Sequence, residues 1–227
     1  MKRGRLPEAV IFDMDGLMFD TEKISHEGFV KGFGKIGCEF PTELSQALQG
    51  SNMTALERMV DEYYERPIPL DKVMRVRRKY FDDYIRKHGL PVKPGLSKLL
   101  DFLASEHIGT AIASSNDRDK IDRNLRLAGL EDYFNTIISG EDIVESKPDP
   151  EIFLKAAGEL GVAPENCLVL EDTPRGAEAA EAAGIPVILV PDMISPDGEA
   201  ASRAEAVLKD LFQVREYLAA AEEGKSA

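Results

Sequence analysis

Two aspartates follow a short apolar segment near the start of the chain. The run Ala9-Val-Ile-Phe12 leads directly into Asp13, Met14 and Asp15. Carboxylates at positions i and i+2 of an extended segment point to the same side, and burying them is costly unless something compensates their charge. Oxygen ligands of this kind suit a hard cation such as Mg²⁺. The pair therefore indicates a metal site, although Asp15 followed by Gly16 is equally typical of an ordinary turn.

A second group with chemical potential is Ser114-Ser115-Asn116, which follows the apolar segment 108–113. Hydroxyls, a side-chain amide and free backbone N–H groups at the junction of a strand and a helix can hold a phosphate. A plain helix cap uses the same residue types, so Ser114, Ser115 and Asn116 alone do not decide between the two.

Two further segments carry charge at comparable places. Lys147 stands directly before Pro148, which indicates a side chain held near the edge of the sheet or, alternatively, a solvated surface lysine. The apolar run 168–170 ends in Glu171 and Asp172, a second acidic pair that offers more oxygen ligands for a metal.

The elements that would position these residues are short, continuous apolar runs separated by helical patterns. This arrangement predicts a parallel sheet built from βαβ units, and ligands bind at the carboxyl ends of such strands. Asp149-Pro150 and Thr173-Pro174 predict helix starts, whereas Gly161 and Gly184 predict helix ends. The predicted strands are 9–12, 108–113, 168–170, 186–190 and, more weakly, 136–138.

Residues 18–92 interrupt this pattern, because they contain no convincing strand and are predicted to form several helices. Residues 92–95 predict a hinge back into the sheet region. The basic run Arg75, Arg77, Arg78 and Lys79 is predicted to be a solvated helix face.

The composition limits the possible partners. The 227 residues carry a formal net charge of -13, which disfavours nucleic acid and anionic membranes as partners. The two cysteines, Cys38 and Cys167, lack the spacing of a metal or redox motif, and Cys167 is predicted to be buried. Free thiols and the lack of a recognisable signal peptide or apolar span predict a cytoplasmic protein. The sequence does not indicate an oligomeric state.

The order of the four motifs is more specific than any one of them. From about residue 8 to residue 190 the chain resembles the haloacid dehalogenase superfamily. The runs 11–20 and 169–176 are similar to its β-phosphoglucomutase-like subgroup. The resemblance implies an α/β fold, with a Rossmann-like parallel-sheet core in residues 1–17 and 93–227. It also implies an inserted all-helical cap in residues 18–92, with 19–22 as its hinge segment.

The resemblance also implies roles for the motif residues. Asp13 would be the nucleophile that becomes an aspartyl phosphate, and Asp15 would be the general acid and base. Lys147 would balance the charge on Asp13 and on the phosphoryl oxygens. Ser114, Ser115 and Asn116 would donate hydrogen bonds to the phosphoryl oxygens. The Mg²⁺ ligands would be a carboxylate oxygen of Asp13, the backbone carbonyl of Asp15, Asp172, and Glu171 directly or through water.

Differences from the subgroup separate the possible activities. A carboxylate at Asp15 favours phosphate-ester chemistry over dehalogenation. Related mutases hold a second phosphate with a cap arginine, which is missing from 50–56. The nearest arginine is Arg58, predicted to lie on a helix surface. Those mutases also carry a histidine where Ser25 falls, and His26 is predicted to be a surface residue. The sequence thus favours a phosphatase of a small phosphorylated metabolite, with a phosphosugar mutase or a non-catalytic binding protein as alternatives.

Overall fold

A six-stranded parallel sheet forms the centre of the structure. A computed structural model of the chain describes residues 6–47, 53–193 and 195–222. The strands lie in the order β3-β2-β1-β4-β5-β6, so the N-terminal strand is central. The strands are β1 (Ala9–Phe12), β2 (Gly109–Ala113), β3 (Thr136–Ile138), β4 (Cys167–Glu171), β5 (Val187–Leu189) and β6 (Ala206–Val207).

The register of the central strands brings their ends to one level. Phe12 of β1 lies opposite Ile112 of β2 and Leu170 of β4. The residues that follow these three positions therefore come out at the same edge of the sheet, where parallel α/β folds bind ligands.

The α-helices after residue 95 cover both faces of this sheet, and those before it pack against one another. The helices are α1 (Glu22–Gly34), α2 (Thr42–Ala47), α3 (Met53–Tyr63), α4 (Leu70–His88), α5 (Leu96–Ser105), α6 (Arg118–Ala128), α7 (Glu151–Leu160), α8 (Pro174–Ala182), α9 (Gly198–Arg203) and α10 (Leu211–Glu222). Successive strand residues face opposite sides. Phe12 therefore packs in a core with α5, α6 and α10, and Ile11 packs in another with α7, α8 and α9.

The predicted α/β fold class is confirmed, and each predicted strand is present with ends shifted by at most one residue. The sequence missed β6, because two residues carry no readable pattern. Thr173 caps α8 as predicted, since its hydroxyl accepts a hydrogen bond from the Gly176 N–H at 3.1 Å. Gly161 ends α7 in the left-handed conformation, also as predicted.

The described residues between 18 and 92 form α1–α4 and, as predicted, no strand beyond isolated bridges. These helices share an apolar cluster that includes Phe33 and Val73. Gly28 and Gly32, one turn apart on α1, allow α4 to pack closely, because a Cβ at Gly32 would lie 2.7 Å from the Val73 carbonyl oxygen. The packing of α1 against α4 therefore sets which face of α4 turns inward.

Two short segments connect these helices to the sheet and run side by side. The Asp20 N–H donates to the Pro91 carbonyl and the Lys93 N–H to the Met18 carbonyl, each at 2.9 Å. The predicted division into 1–17, 18–92 and 93–227 stays a prediction.

Cys167 is buried, as predicted. Within the described ranges, every helix is too short or too polar to cross a bilayer.

Candidate active site

The loop after β1 is shaped by a glycine. The Gly16 N–H donates to the Phe19 carbonyl at 2.9 Å, and the Phe19 N–H returns to the Met14 carbonyl. Gly16 has φ +84°, and a Cβ there would lie 2.1 Å from Oδ2 of Asp172. Only glycine allows both this backbone conformation and this approach, so the turn and the acidic residue after β4 fit together at one position.

Lys147 is fully buried at the edge of the sheet. Its Nζ lies 2.5 Å from Oδ1 of Asp13, 2.6 Å from Oε1 of Glu171 and 3.3 Å from the Ala113 carbonyl oxygen. Burial lowers the pKa of Lys147, but the two carboxylates raise it further, so that it ends above its usual value. The ammonium therefore stays charged, and the alternative of a solvated surface lysine is wrong.

Glu171 is held by its neighbours through both oxygens. Oε1 accepts from Lys147, and Oε2 accepts from the Asp172 N–H, the Thr173 N–H and the Thr173 hydroxyl, each at 2.9 Å. A Cβ at Gly176 would lie 1.9 Å from Cδ of Glu171, so α8 also needs a glycine there. Glu171 thus fixes Lys147 and the start of α8. Its predicted contact with a metal stays a prediction.

Asp13 and Asp172 are two carboxylates with too little compensating charge. Burial raises the pKa of Asp13 to about 7, with Lys147 opposing and Glu171 adding to the rise. Burial, Glu171 and Asp13 hold the pKa of Asp172 well above its usual range. Oδ1 of Asp172 is buried and has no hydrogen-bond partner among the described residues. An excess of buried negative charge with an orphaned oxygen is the environment that a bound cation would stabilise.

The atoms that could bind a metal at this site are oxygens, which is the ligand type that Mg²⁺ prefers. Across the described ranges, no three His, Cys, Asp or Glu side chains are grouped so that they could hold a metal between them. The ligand set implied by the resemblance needs fewer, because it uses the side chains of Asp13 and Asp172 with the backbone carbonyl of Asp15. The residues therefore fit the ion, and their ligand roles stay predictions.

Asp15 has the opposite electrostatic environment. Its carboxylate accepts from the Thr21 hydroxyl, from Nδ2 of Asn116 at 2.7 Å and from Nζ of Lys120 at 2.7 Å. Burial raises the pKa of Asp15, but Lys120 and the hydrogen bonds lower it below its usual value. The pKa values of Asp13 and Asp15 are therefore shifted in opposite directions.

The predicted phosphate-binding residues lie beside these carboxylates. Ser114 is buried, and its hydroxyl accepts from Nδ2 of Asn116 at 2.7 Å. The Ser114 N–H donates to the Ile138 carbonyl within the sheet, so the side chain rather than this N–H faces the site. Ser115 lines a cavity together with Asp13 and Asp15. The arrangement brings all three residues together at the end of β2, and their hydrogen bonds to phosphate stay predicted.

A cavity of about 250 Å³ joins the sheet edge to the helices between 18 and 92. The sheet side contributes Asp13, Asp15, Ser114, Ser115, Asn116, Asp117, Lys120, Glu171, Asp172 and Thr173. The helical side contributes Glu22, Ser25, His26, Phe29, Phe40, Ser45, Met53, Leu56, Met74, Arg77 and Arg78. The acidic site thus opens into a chamber with both polar and apolar walls.

Comparison with known proteins agrees with this arrangement. Residues 10–190 match the family described as haloacid dehalogenase-like hydrolase. The chain belongs to this family. A probable pseudouridine-5'-phosphatase of Drosophila melanogaster is 34% identical over 80% of each chain. A phosphorylated carbohydrates phosphatase of Thermotoga maritima is 32% identical over 88% of this chain and 92% of the relative. The β-phosphoglucomutase of Clostridium difficile superposes with a TM-score of 0.79 at 26% identity, covering 96% of this chain and 98% of the other.

For two residues of this haloacid dehalogenase-like hydrolase, the position predicted from the sequence is wrong. His26 was predicted to be a surface residue, yet it lines the cavity with Nδ1 2.7 Å from Oγ of Ser45. Arg77 was predicted to be solvated, yet it is half-buried against Ser25. Arg77 is turned inward by the packing of α1 against α4, whereas His26 is turned inward toward Ser45 of α2 and Phe40.

The other predictions for these helices are confirmed or fall partly on residues outside the described ranges. Arg58 is exposed, as predicted, and Arg75, Arg78 and Lys79 are exposed too, although Arg78 also borders the cavity. The stretch 50–56 was predicted to lack the arginine of the mutases, and its residues 50–52 lie outside the described residues. Lys120 and Thr21 were not foreseen as site residues. Lys120 lies in the first turn of α6 and belongs to no recognisable motif. Thr21 belongs to the predicted hinge segment, but no contact with the site was predicted for it.

Proposed function

We propose that this protein is a Mg²⁺-dependent phosphatase that hydrolyses a small phosphorylated metabolite, such as a sugar phosphate, through an aspartyl phosphate on Asp13. The observation that carries the proposal is the position of Asp13. Its carboxylate lies at the end of the central strand, 2.5 Å from the buried ammonium of Lys147, and it lines the cavity between the sheet edge and the helices.

Asp13 has one cation beside it, Lys147, and the proposed Mg²⁺ would add the second positive charge that this buried carboxylate lacks. An aspartate is a weak nucleophile and must be ionised and aligned with the phosphorus. Lys147 favours the ionised form and fixes one carboxylate oxygen. Glu171 holds Lys147 from the other side at 2.6 Å. In the proposed first step, an oxygen of Asp13 forms a bond to phosphorus while the ester P–O bond breaks.

Asp15 is proposed to serve both proton transfers. It gives a proton to the leaving oxygen in the first step, and in the second it takes one from the water that attacks phosphorus and releases Asp13. Thr21, Asn116 and Lys120 hold its carboxylate from three directions. These contacts orient the carboxylate toward the cavity and favour its ionised form, which is the form needed for the base role in the second step.

A bound Mg²⁺ would reduce the electrostatic repulsion between the substrate phosphate and the carboxylates of the site. We propose Asp13, the backbone carbonyl of Asp15 and Asp172 as its ligands, with Glu171 reaching it through water. The orphaned Oδ1 of Asp172 supports this assignment. Ser114, Ser115 and Asn116 are proposed to donate hydrogen bonds to the phosphoryl oxygens from the end of β2.

The leaving group is proposed to enter the helical side of the chamber. We propose that residues 18–92 act as the cap that covers it and excludes water. Phosphatases named among the relatives act on pseudouridine 5'-phosphate or phosphorylated carbohydrates, which supports a small metabolite of this kind. The cytoplasm, where such metabolites are found, is the proposed location.

Phosphate release from a panel of phosphorylated sugars and p-nitrophenyl phosphate, with and without Mg²⁺, tests the proposal. We expect turnover that requires the metal and that Asp13→Asn abolishes. Asp119→Asn, an exposed aspartate on α6, is the matched control and should keep full activity. Activity that survives in Asp13→Asn would refute the nucleophile, and ligand binding without any phosphate release would instead indicate a non-catalytic binding protein.

A phosphosugar mutase is the second candidate, and the likeness to the β-phosphoglucomutase of Clostridium difficile favours it. A mutase returns the phosphoryl group to a second hydroxyl of the substrate instead of to water. A coupled assay for isomerised hexose phosphate, primed with a hexose bisphosphate, separates the two. If isomerisation is faster than phosphate release, the assignment as a phosphatase is wrong and the protein is a mutase.

A further inference from the structure

Arg77 is a cation built into the helical wall of the cavity. Its Nη2 and Nε donate to Oγ of Ser25 at 2.7 and 3.2 Å, and its Cζ lies 4.6 Å from the centre of the Phe29 ring. Both partners belong to α1, one turn apart. The guanidinium is therefore oriented by a hydroxyl and an aromatic face, and its remaining donor capacity is available to the cavity.

The helix packing holds this side chain in place. A Cβ at Gly28 would lie 3.0 Å from Cγ of Arg77, so the stem of the arginine fits against bare backbone. Neighbouring cations on α4 differ, since Arg75 pairs with Asp71 on a face where both side chains are more than 70% exposed. A larger residue at Gly28 would push Arg77 away from Ser25.

The charge of Arg77 has no close counterpart within the described part of the chain. No carboxylate there lies within 4.0 Å of its guanidinium, whereas the other half-buried cation of the cavity, Lys120, pairs with Asp15 at 2.7 Å. Burial lowers the pKa of Arg77, opposed by Asp15 and Glu22, yet a guanidinium stays charged in proteins. A half-buried cation without an ionic partner is costly, and an anion from outside the chain would offset that cost.

We propose that Arg77 binds an oxyanion on the leaving group, a carboxylate or a second phosphate, so that the preferred substrates are phosphate monoesters carrying another negative group. This inference rests on the proposed phosphatase activity. A guanidinium matches both oxyanions with paired N–H donors. Phe29 and Phe40, stacked at 5.0 Å between ring centres, provide an apolar wall for the carbon skeleton between the two charged ends.

Two pairs of substrates test the proposal. 6-Phosphogluconate and glucitol 6-phosphate differ in a carboxylate, and fructose 1,6-bisphosphate and fructose 6-phosphate differ in a phosphate. We expect the wild type to have the higher kcat/KM for the anionic member of at least one pair. Arg77→Gln should lower that value by about 10- to 100-fold, mainly through KM, since hydrogen bonds to a charged group contribute that much. The neutral member should change by less than about three-fold.

Control variants keep the test decisive. Arg75→Gln, on the exposed face of the same helix, should leave both members of each pair unchanged, and Arg77→Lys should restore part of the preference. Equal loss on both members in Arg77→Gln, or no anionic preference in the wild type, would overturn the proposal. Turnover of p-nitrophenyl phosphate by the wild type distinguishes that result from a failure of the phosphatase itself, which would leave every substrate unhydrolysed.

Discussion

The ammonium of Lys147 lies 2.5 Å from Oδ1 of Asp13, and the lysine side chain has no exposed surface. One cation therefore serves two buried carboxylates, because Glu171 lies 2.6 Å away on the other side. The desolvation of such a group is repaid only when its partners are both present and well aligned. The stability of the sheet edge and the chemistry of Asp13 thus depend on the same contact.

Replacing Lys147 with Met tests this coupling. The substitution leaves two carboxylates buried without their cation, so we expect the free energy of unfolding to fall by about 3–5 kcal/mol. We also expect kcat to fall by about 10²- to 10³-fold, the loss typical of a deleted electrostatic contact in an active site. Urea denaturation and phosphate release measure the two effects.

The control for Lys147→Met is Lys79→Met on α4. Lys79 pairs with Asp83 at 3.0 Å, but its side chain is 77% exposed. An exposed pair contributes about 0–1 kcal/mol, so this variant should keep both its stability and its activity. A Lys147→Met protein as stable and active as Lys79→Met would show that Lys147 is not the cation of the site.

Two helical glycines provide a matched pair for testing how Glu171 is positioned. A Cβ at Gly176 would lie 1.9 Å from Cδ of Glu171, whereas Gly158 on α7 has no atom within 4 Å of a new Cβ. Gly176→Ala should therefore lose activity and about 1–3 kcal/mol of stability. Gly158→Ala should gain about 0.5–1 kcal/mol, because glycine is unfavourable inside a helix. Full activity in Gly176→Ala would mean that Glu171 tolerates displacement.

Most of the sheet side of the site could be predicted because its carboxylates and Ser114 directly adjoin apolar strands. Asp13 and Asp172 follow β1 and β4 directly, and a parallel sheet brings such ends together. Lys147 lies in a loop, and its position before Pro148 left a solvated surface lysine as an alternative, so its role as the cation of the site came only from the resemblance of the motif order to a known superfamily. The register between Phe12, Ile112 and Leu170 explains why the prediction was accurate there.

The helical side could not be predicted in the same way. Arg75, Arg77 and Arg78 are close neighbours in sequence, and successive residues on a helix point about 100° apart. Which of them faces the cavity depends on the approach of α1 to α4, which Gly28 and Gly32 allow. That contact is tertiary and leaves no periodic signal in the sequence. The position of His26 likewise depends on tertiary contacts, with Ser45 of α2 and with Phe40.

Asp172→Asn tests the proposed metal site through stability as well as activity. Burial and the neighbouring carboxylates raise the pKa of Asp172 well above its usual range, so the metal-free variant should melt at a higher temperature than the metal-free wild type. Mg²⁺ at 100 times its dissociation constant should stabilise the wild type by about 2.7 kcal/mol. The variant should lose most of this gain. Thermal melts with EDTA and with Mg²⁺ measure it, and an equal Mg²⁺ shift in both proteins would contradict the ligand role.

Glu22 predicts a specific dependence of stability on pH. Burial and the charge of Asp15 raise its pKa to about 7, so between about pH 4.5 and pH 7 the folded state binds more protons at this residue than the unfolded state does. Its contribution to stability therefore falls as the pH rises through this window. Glu22→Gln removes the effect and should be more stable than the wild type by about 1–3 kcal/mol at pH 8, with little difference at pH 4.5. Urea denaturation in EDTA at both pH values measures this, with the exposed Glu62→Gln on α3 as the control. A wild type and a Glu22→Gln variant whose stabilities differ equally at both pH values would show that Glu22 ionises as readily in the folded chain as in the unfolded one.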